Sequence, residues 1–177
     1  MNDEESAEPY GPVLTPLIAA AKPPPLDEGV ATSVDGLTLL DVGAAFAHTR
    51  VGDAGMADCC VAGIWLLYNE LGHAHRLCQD VPTPSGSYWH GVVHRRERDY
   101  GNAQYWFSRG TTHPVIPRIA AEVDAAAVFP DGWSPEAMVD GCRRAARGDD
   151  ELAAACAHAQ AVEWRLLFDH CYRAATA

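Results

Sequence analysis

Lysine is nearly missing from this chain: Lys22 stands alone against twelve arginines. With 24 acidic residues the thirteen cations leave a formal net charge of -11 and a pI near 5.0. Such a surface repels a phosphate backbone, which argues against general nucleic-acid binding. Also missing is any C-x-x-C pair. Cys59, Cys60, Cys78, Cys142, Cys156 and Cys171 fall mostly within apolar helical patterns and read as reduced core residues. No apolar run approaches membrane-spanning length, and the start, Met1-Asn2-Asp3-Glu4-Glu5, is acidic where a signal peptide needs a basic segment. The expectation is a soluble, cytoplasmic protein without membrane partners. A Gly-rich phosphate loop, a G-x-S-x-G elbow and a Rossmann fingerprint are all lacking. Strand signals are scarce too, with no Asn-Gly hairpin and no alternating Val/Ile/Thr run.

What is present is helical periodicity. The chain is 177 residues long and 48% hydrophobic, enough for one core and so for one domain. The fold class expected is all-α, a bundle of five to seven helices over residues 32–177, preceded by an extended, proline-rich arm over residues 1–31. Pro9, Pro12, Pro16 and Pro23-Pro24-Pro25 suggest the arm, with a short docking turn over Leu14 to Ala21. Val34 to Ala47 reads as a short helix. Val61, Ile64, Trp65, Tyr68, Leu71 and His75 recur at spacings of three and four, which predicts one long helix from Gly55 to Gln79. Two prolines and Gly86 end it, and a second helix starts at Ser85 or Ser87 and runs through Glu97. Helical turns follow over Ala103 to Arg109, closed by Gly110, and over Pro117 to Ala127. Ser134-Pro135-Glu136 is a helix start with Gly148 as its stop, and Asp149-Asp150 opens a final helix reaching about Arg173. Leu152, Cys156, Val162, Leu166 and Leu167 mark its inner face.

One stretch is too polar for packing alone. From Ser87 to Tyr100 the chain places two histidines, three arginines, two carboxylates and three aromatics in fourteen residues. On a helix His90 and His94 are neighbours one turn apart, as two ligands of one metal must be. Glu97 follows on nearly the same face, but the rise from His90 to Glu97 is roughly 10 Å at 1.5 Å per residue, long for three ligands of one ion on a straight helix. A third ligand comes more comfortably from the preceding helix, where Glu70, His73 and His75 lie near its end, or from His113. His75 fits the apolar face better than His73. The candidate metal set is therefore His75, His90 and His94, for zinc or iron, and Gly91 after His90 excludes the H-E-x-x-H arrangement.

The same residues admit an acid/base reading in which His90, His94 and Glu97 do the catalytic work. Arg95, Arg96 and Arg109 suit a small anionic molecule, because guanidinium forks match carboxylate or phosphate bidentately. Asn102, Tyr105 and His113 complete the candidate ligand-binding set among apolar walls. The structural alternative is a buried network in which Arg95–Glu97 or Arg96–Asp99 pairs and the histidines merely join helices; for Arg98 that alternative is preferred. Glu163, on the final helix, either faces the strip or pairs near Arg165 in solvent.

Gly86-Ser87-Tyr88-Trp89-His90-Gly91, then His94-Arg95-Arg96-Glu97-x-Asp99-Tyr100-x-Asn102-Ala103-x-Tyr105-Trp106-Phe107-x-Arg109, resembles the signature of a bacterial and fungal family of hypothetical proteins to which no activity is attached. His75, His113-Pro114 and Glu163-Trp164 with Cys171 match it too, and the match is strongest over about residues 60–115. Members carry an arginine where this chain has Ser108 and one more residue before the His-Pro pair. The resemblance implies where the site lies, and no substrate, cofactor or reaction. Three classes remain: a metal-dependent or acid/base enzyme, a non-catalytic ligand-binding or sensor module, and a scaffold with a structural His/Arg network.

Overall fold

Six helices begin where a short polar side chain catches a free N–H of the first turn. Asp41, Asp53, Thr83, Asp99, Ser134 and Asp149 each accept from the backbone three residues on. The computed structural model describes residues 8–32, 34, 37–110, 112–123 and 128–177. Among these the elements are α1 (Gly11–Ala20), a 3-10 turn (Leu37–Leu39), α2 (Val42–Ala45), α3 (Ala54–Leu67), α4 (Leu71–Cys78), α5 (Pro84–Arg96), α6 (Tyr100–Arg109), α7 (Ile116–Glu122), α8 (Pro135–Ala145) and α9 (Asp150–Ala175). The protein is all-α, with no strand among the described residues. No helix among them is long and apolar enough to cross a membrane.

Among the described residues there are nine helices where five to seven were expected, for identifiable reasons. The segment expected to be an extended arm is helical over Gly11–Ala20, because Leu14 and Leu17 bury on the core; Pro12 sits harmlessly in the first turn, and Pro16 is carried inside the helix. Residues 21–31 do run without helix. Residues 1–7 and the end of the expected Pro117–Ala127 helix, 124–127, lie outside the described residues. The helix expected to be continuous from Gly55 to Gln79 breaks between Leu67 and Leu71. There Asn69 adopts φ +62, a left-handed conformation that asparagine tolerates better than most residues. Its amide holds the break: Nδ2 donates to Val30 O at 2.9 Å, and Oδ1 accepts from Arg96 Nη2. Between Val34 and Ala47 the expected helix is only the 3-10 turn and α2; residues 35 and 36 lie outside the description.

α3 and α9 form the spine, with α5 lodged against α3, α4 and α6, and with α8 covering α9 and α6. Close approach needs glycine at two points of the α5 motif. A Cβ on Gly86 would lie 2.2 Å from the Val81 carbonyl oxygen, and one on Gly91 would lie 2.8 Å from the Phe107 ring. Gly91 thus lets α6 press onto α5 and sets the position of Trp106, one residue before Phe107. All six cysteines are free and buried, as their apolar setting suggested.

Candidate metal centre

α5 is buried almost all round, so its polar side chains must find partners inside the protein. His90 and His94 leave α5 toward α4, where His75 comes to meet them. One ligand atom from each of the three imidazoles lies within 4.8 Å of the other two. His75 Nε2 and His90 Nε2 are 2.8 Å apart, so one carries the hydrogen and the other accepts it. His73, by contrast, points outward, stacked on Trp65 with Glu70 3.3 Å from its Nδ1.

Glu97, the residue after α5, sits behind two of the rings. Its Oε1 is 3.6 Å from His75 Nδ1, its Oε2 is 3.2 Å from His94 Nδ1, and Asp99 Oδ2 is 3.8 Å from the same His94 atom. His90 Nδ1 and His94 Nδ1 are buried without a hydrogen-bond partner of good geometry among the described residues. Burial, then the neighbouring His75 and His94, pulls the His90 pKa down to about 4. Burial also lowers that of His94, although Glu97 opposes the shift. Both are therefore neutral imidazoles at pH 7, the form that coordinates metals. Trp106 flanks the triad: its ring stacks on His90 with centroids 4.0 Å apart and planes at 24°. Arg109 lies beyond it, its Cζ 5.6 Å from the Trp106 ring centre and its Nη1 donating to Tyr105 Oη at 3.3 Å.

The candidate anion-binding arginines of α5 are not here. Arg95 is fully buried and pairs bidentately with Glu163: Nη1 donates to Oε1 at 3.0 Å, Nη2 donates to Oε2, and Tyr88 Oη donates to Oε1 at 3.1 Å. Burial disfavours its charge, but Glu163 outweighs this and raises its pKa. Arg96 donates to Leu66 O at 2.6 Å, to Asn69 Oδ1 and to Asp27 O, which fastens α5 to the end of α3, where a cation meets the negative end of the helix. Neither Arg95–Glu97 nor Arg96–Asp99 forms; the partner of Arg95 is 68 residues away and those of Arg96 are 27 to 69 residues away. Arg98 is exposed and pairs with Asp27, as the structural alternative held.

Asn102 donates from Nδ2 to Asp99 Oδ2 at 2.6 Å, a local clasp at the start of α6 that keeps the Asp99 carboxylate ionised. His113 lies apart from the triad, in contact with the Tyr88 and His170 rings. The Val115 N–H donates to His113 Nδ1, so Nε2 carries the hydrogen and donates to Ser85 Oγ at 2.9 Å. The structure thus brings together His75, His90, His94 and Glu97, flanks them with Trp106, Tyr105 and Arg109, and sets Arg95, Arg96 and His113 elsewhere. Sequence reasoning gave Trp106 no role; its spacing from Arg109 on α6 was the available signal. No family model matches the chain, and no curated protein and no solved structure matches it either.

Proposed function

We propose that His75, His90 and His94 form a mononuclear metal site, with zinc or iron as its ion, that acts on or senses a small anionic molecule. The observation that carries this reading is three imidazoles whose ligand atoms lie within 4.8 Å of one another while the Glu97 carboxylate backs the Nδ1 atoms of two of them. Glu97 behind His75 and His94 matches the carboxylate–histidine–metal relay, which directs Nε2 toward the ion and fixes the tautomer. Its role is then to position ligands. Glu97 and Asp99 also make the local field favourable to a cation rather than an anion at the triad itself. Tetrahedral ligands at 2.0–2.1 Å from zinc sit about 3.3 Å from each other, so the 2.8 Å His75–His90 contact would open by about half an ångström, and ligand atoms now as much as 4.8 Å apart would draw together by up to about 1.5 Å.

Three protein nitrogens leave a fourth position for water or a substrate oxygen. A zinc ion held by His75, His90 and His94 would supply Lewis-acid chemistry, lowering the pKa of water or polarising an oxygen of the ligand. Arg109, one indole ring away from His90, is the exposed cation placed to take the anionic group of a ligand. The ligand then has its charge separated from its reacting or coordinating atom by about the width of Trp106.

The test is elemental analysis of untagged protein, grown with metal supplied and dialysed exhaustively, beside His90→Ala/His94→Ala. One zinc or iron per chain, lost in the folded double variant, is expected. Wild-type protein without metal, or metal retained by the variant, overturns the reading.

A further inference from the structure

Among the described residues the thiols of α9 meet those of two other helices. Cys171 shares a hydrogen bond with Cys59 of α3, and both side chains are sealed in the core at 0% exposed. Cys156 shares another with Cys142 of α8. The backbone brings this second pair together: α8 has glycine at 141, where a Cβ would lie 2.9 Å from Cys156 Sγ, so α8 can press onto the Cys156 side chain. Cys142, the next residue, is 4% exposed and forms part of the wall of an open cavity of about 430 Å³, among small residues such as Ala145, Ala146 and Ala153. One thiol of this pair thus borders a solvent-filled space, and the other lies behind it.

The two sulfurs are also unequal. The Cys156 S–H donates to the Cys142 sulfur, and the Arg95 guanidinium adds positive charge nearby; together these lower the Cys142 pKa against burial, while that of Cys156 is raised. Cys142 is therefore the thiol that loses its proton first, and Cys156 the one that keeps it. The thiolate is the reactive form of cysteine, and an oxidised thiolate is resolved by a second thiol in contact with it.

We infer that Cys142 is an oxidation site for a small peroxide, with Cys156 as the resolving thiol that converts it to a disulfide joining α8 to α9. In the first step the Cys142 sulfur attacks one peroxide oxygen and the O–O bond breaks. The sulfur is oxidised to a sulfenic acid, and the departing oxygen takes up the thiol proton and leaves as water. In the second, the Cys156 sulfur attacks the Cys142 sulfur, the S–O bond breaks, and the hydroxyl leaves with the Cys156 proton as a second water. A dithiol reverses the product.

The test is treatment of the folded wild-type chain with hydrogen peroxide, with a chelator present so that iron at the triad drives no oxidation, followed by alkylation and mass spectrometry. Cleavage after arginine places Cys142 in peptide 119–143 and Cys156 in peptide 148–165, each with a single cysteine, so only the disulfide can join them. The joined pair is expected with a loss of about 2 Da, reversed by dithiothreitol, and forming about tenfold faster than any Cys59–Cys171 link. Folded Cys156→Ser is expected to stop at the sulfenic acid and to give a dimedone adduct on peptide 119–143. No joined pair in wild type, a Cys59–Cys171 link forming as fast, or no adduct in folded Cys156→Ser would each overturn the proposal; if that variant does not fold, the wild-type map decides alone. None of these results bears on the metal site, so the two readings stand or fall separately.

Discussion

His90 and His94 leave one side of α5, and Arg95 and Arg96 leave the other, yet the two pairs have opposite fates. The arginine charges are met: Glu163 takes both Nη atoms of Arg95, and carbonyl oxygens with Asn69 surround Arg96. On the histidine side the buried His90 Nδ1 lacks a hydrogen bond, and the 2.8 Å contact between His75 Nε2 and His90 Nε2 has only one hydrogen to share. Apart from Arg95 Nε, which is buried without a partner among the described residues, the arginine face is a finished structural clasp. The histidine face has lone pairs to offer, and that difference separates a group that holds the fold from one kept for a ligand.

Breaking the clasp should therefore have the largest effect on stability. Glu163→Ala leaves a guanidinium buried without its counter-charge and is expected to lose roughly 3–5 kcal/mol in urea unfolding. Metal-free His94→Ala removes a neutral ring and should lose less than half as much. Equal losses would erase the distinction between the two faces.

Gly91→Ala comes next. Its Cβ would meet the Phe107 ring at 2.8 Å, and overpacking of this kind costs about 1–3 kcal/mol. Because Phe107 adjoins Trp106, the variant should also weaken metal binding, which a stability loss alone does not require. A pH effect follows from His113, whose pKa burial, and then His170, lowers to about 4. Between that value and the ordinary 6.5 the unfolded chain takes up a proton that the folded chain refuses. Stability is thus lost as pH falls from 6.5 toward 4 and levels off below. The groups facing the ring are Ser85, Tyr88 and His170. The drop in melting temperature between pH 6.5 and 4.5 should be smaller in His113→Gln than in wild type, with the His90 contribution common to both.

The smallest structural effect is expected at Arg109, an exposed residue with only Tyr105 and Trp106 beneath it. Arg109→Ala should change stability by no more than about 0.5 kcal/mol and leave metal content intact. Thermal shifts of the metal-loaded protein with inorganic phosphate should nevertheless shrink in the variant; unchanged shifts would remove Arg109 from the anion role.

Much of this was legible from the chain alone. Caps and stops at Ser134, Asp149 and Gly148 are local chemistry, and the helices they bound follow from them. The i, i+4 pair His90/His94 and the inward register of His75 likewise need only helical periodicity. What the sequence hid was long-range. Asn69 looked like one more residue in a periodic run, because the Arg96 and Val30 groups that hold its left-handed turn are 27 and 39 positions away. Arg95 looked available because Glu163, its partner, lies 68 positions downstream. Leu14 and Leu17 were masked by the prolines around them, Pro12 in the first turn and Pro16 inside the helix, which their burial outweighs.

The most direct test of the central claim is calorimetric titration of zinc into metal-free wild-type protein and into His75→Ala, His90→Ala and His94→Ala. The account predicts one tight equivalent in wild type and at least a hundredfold weaker binding in every folded single variant. Wild-type affinity no greater than that of the variants would contradict it, and would make the three histidines a packing cluster like the arginine clasp on the opposite face.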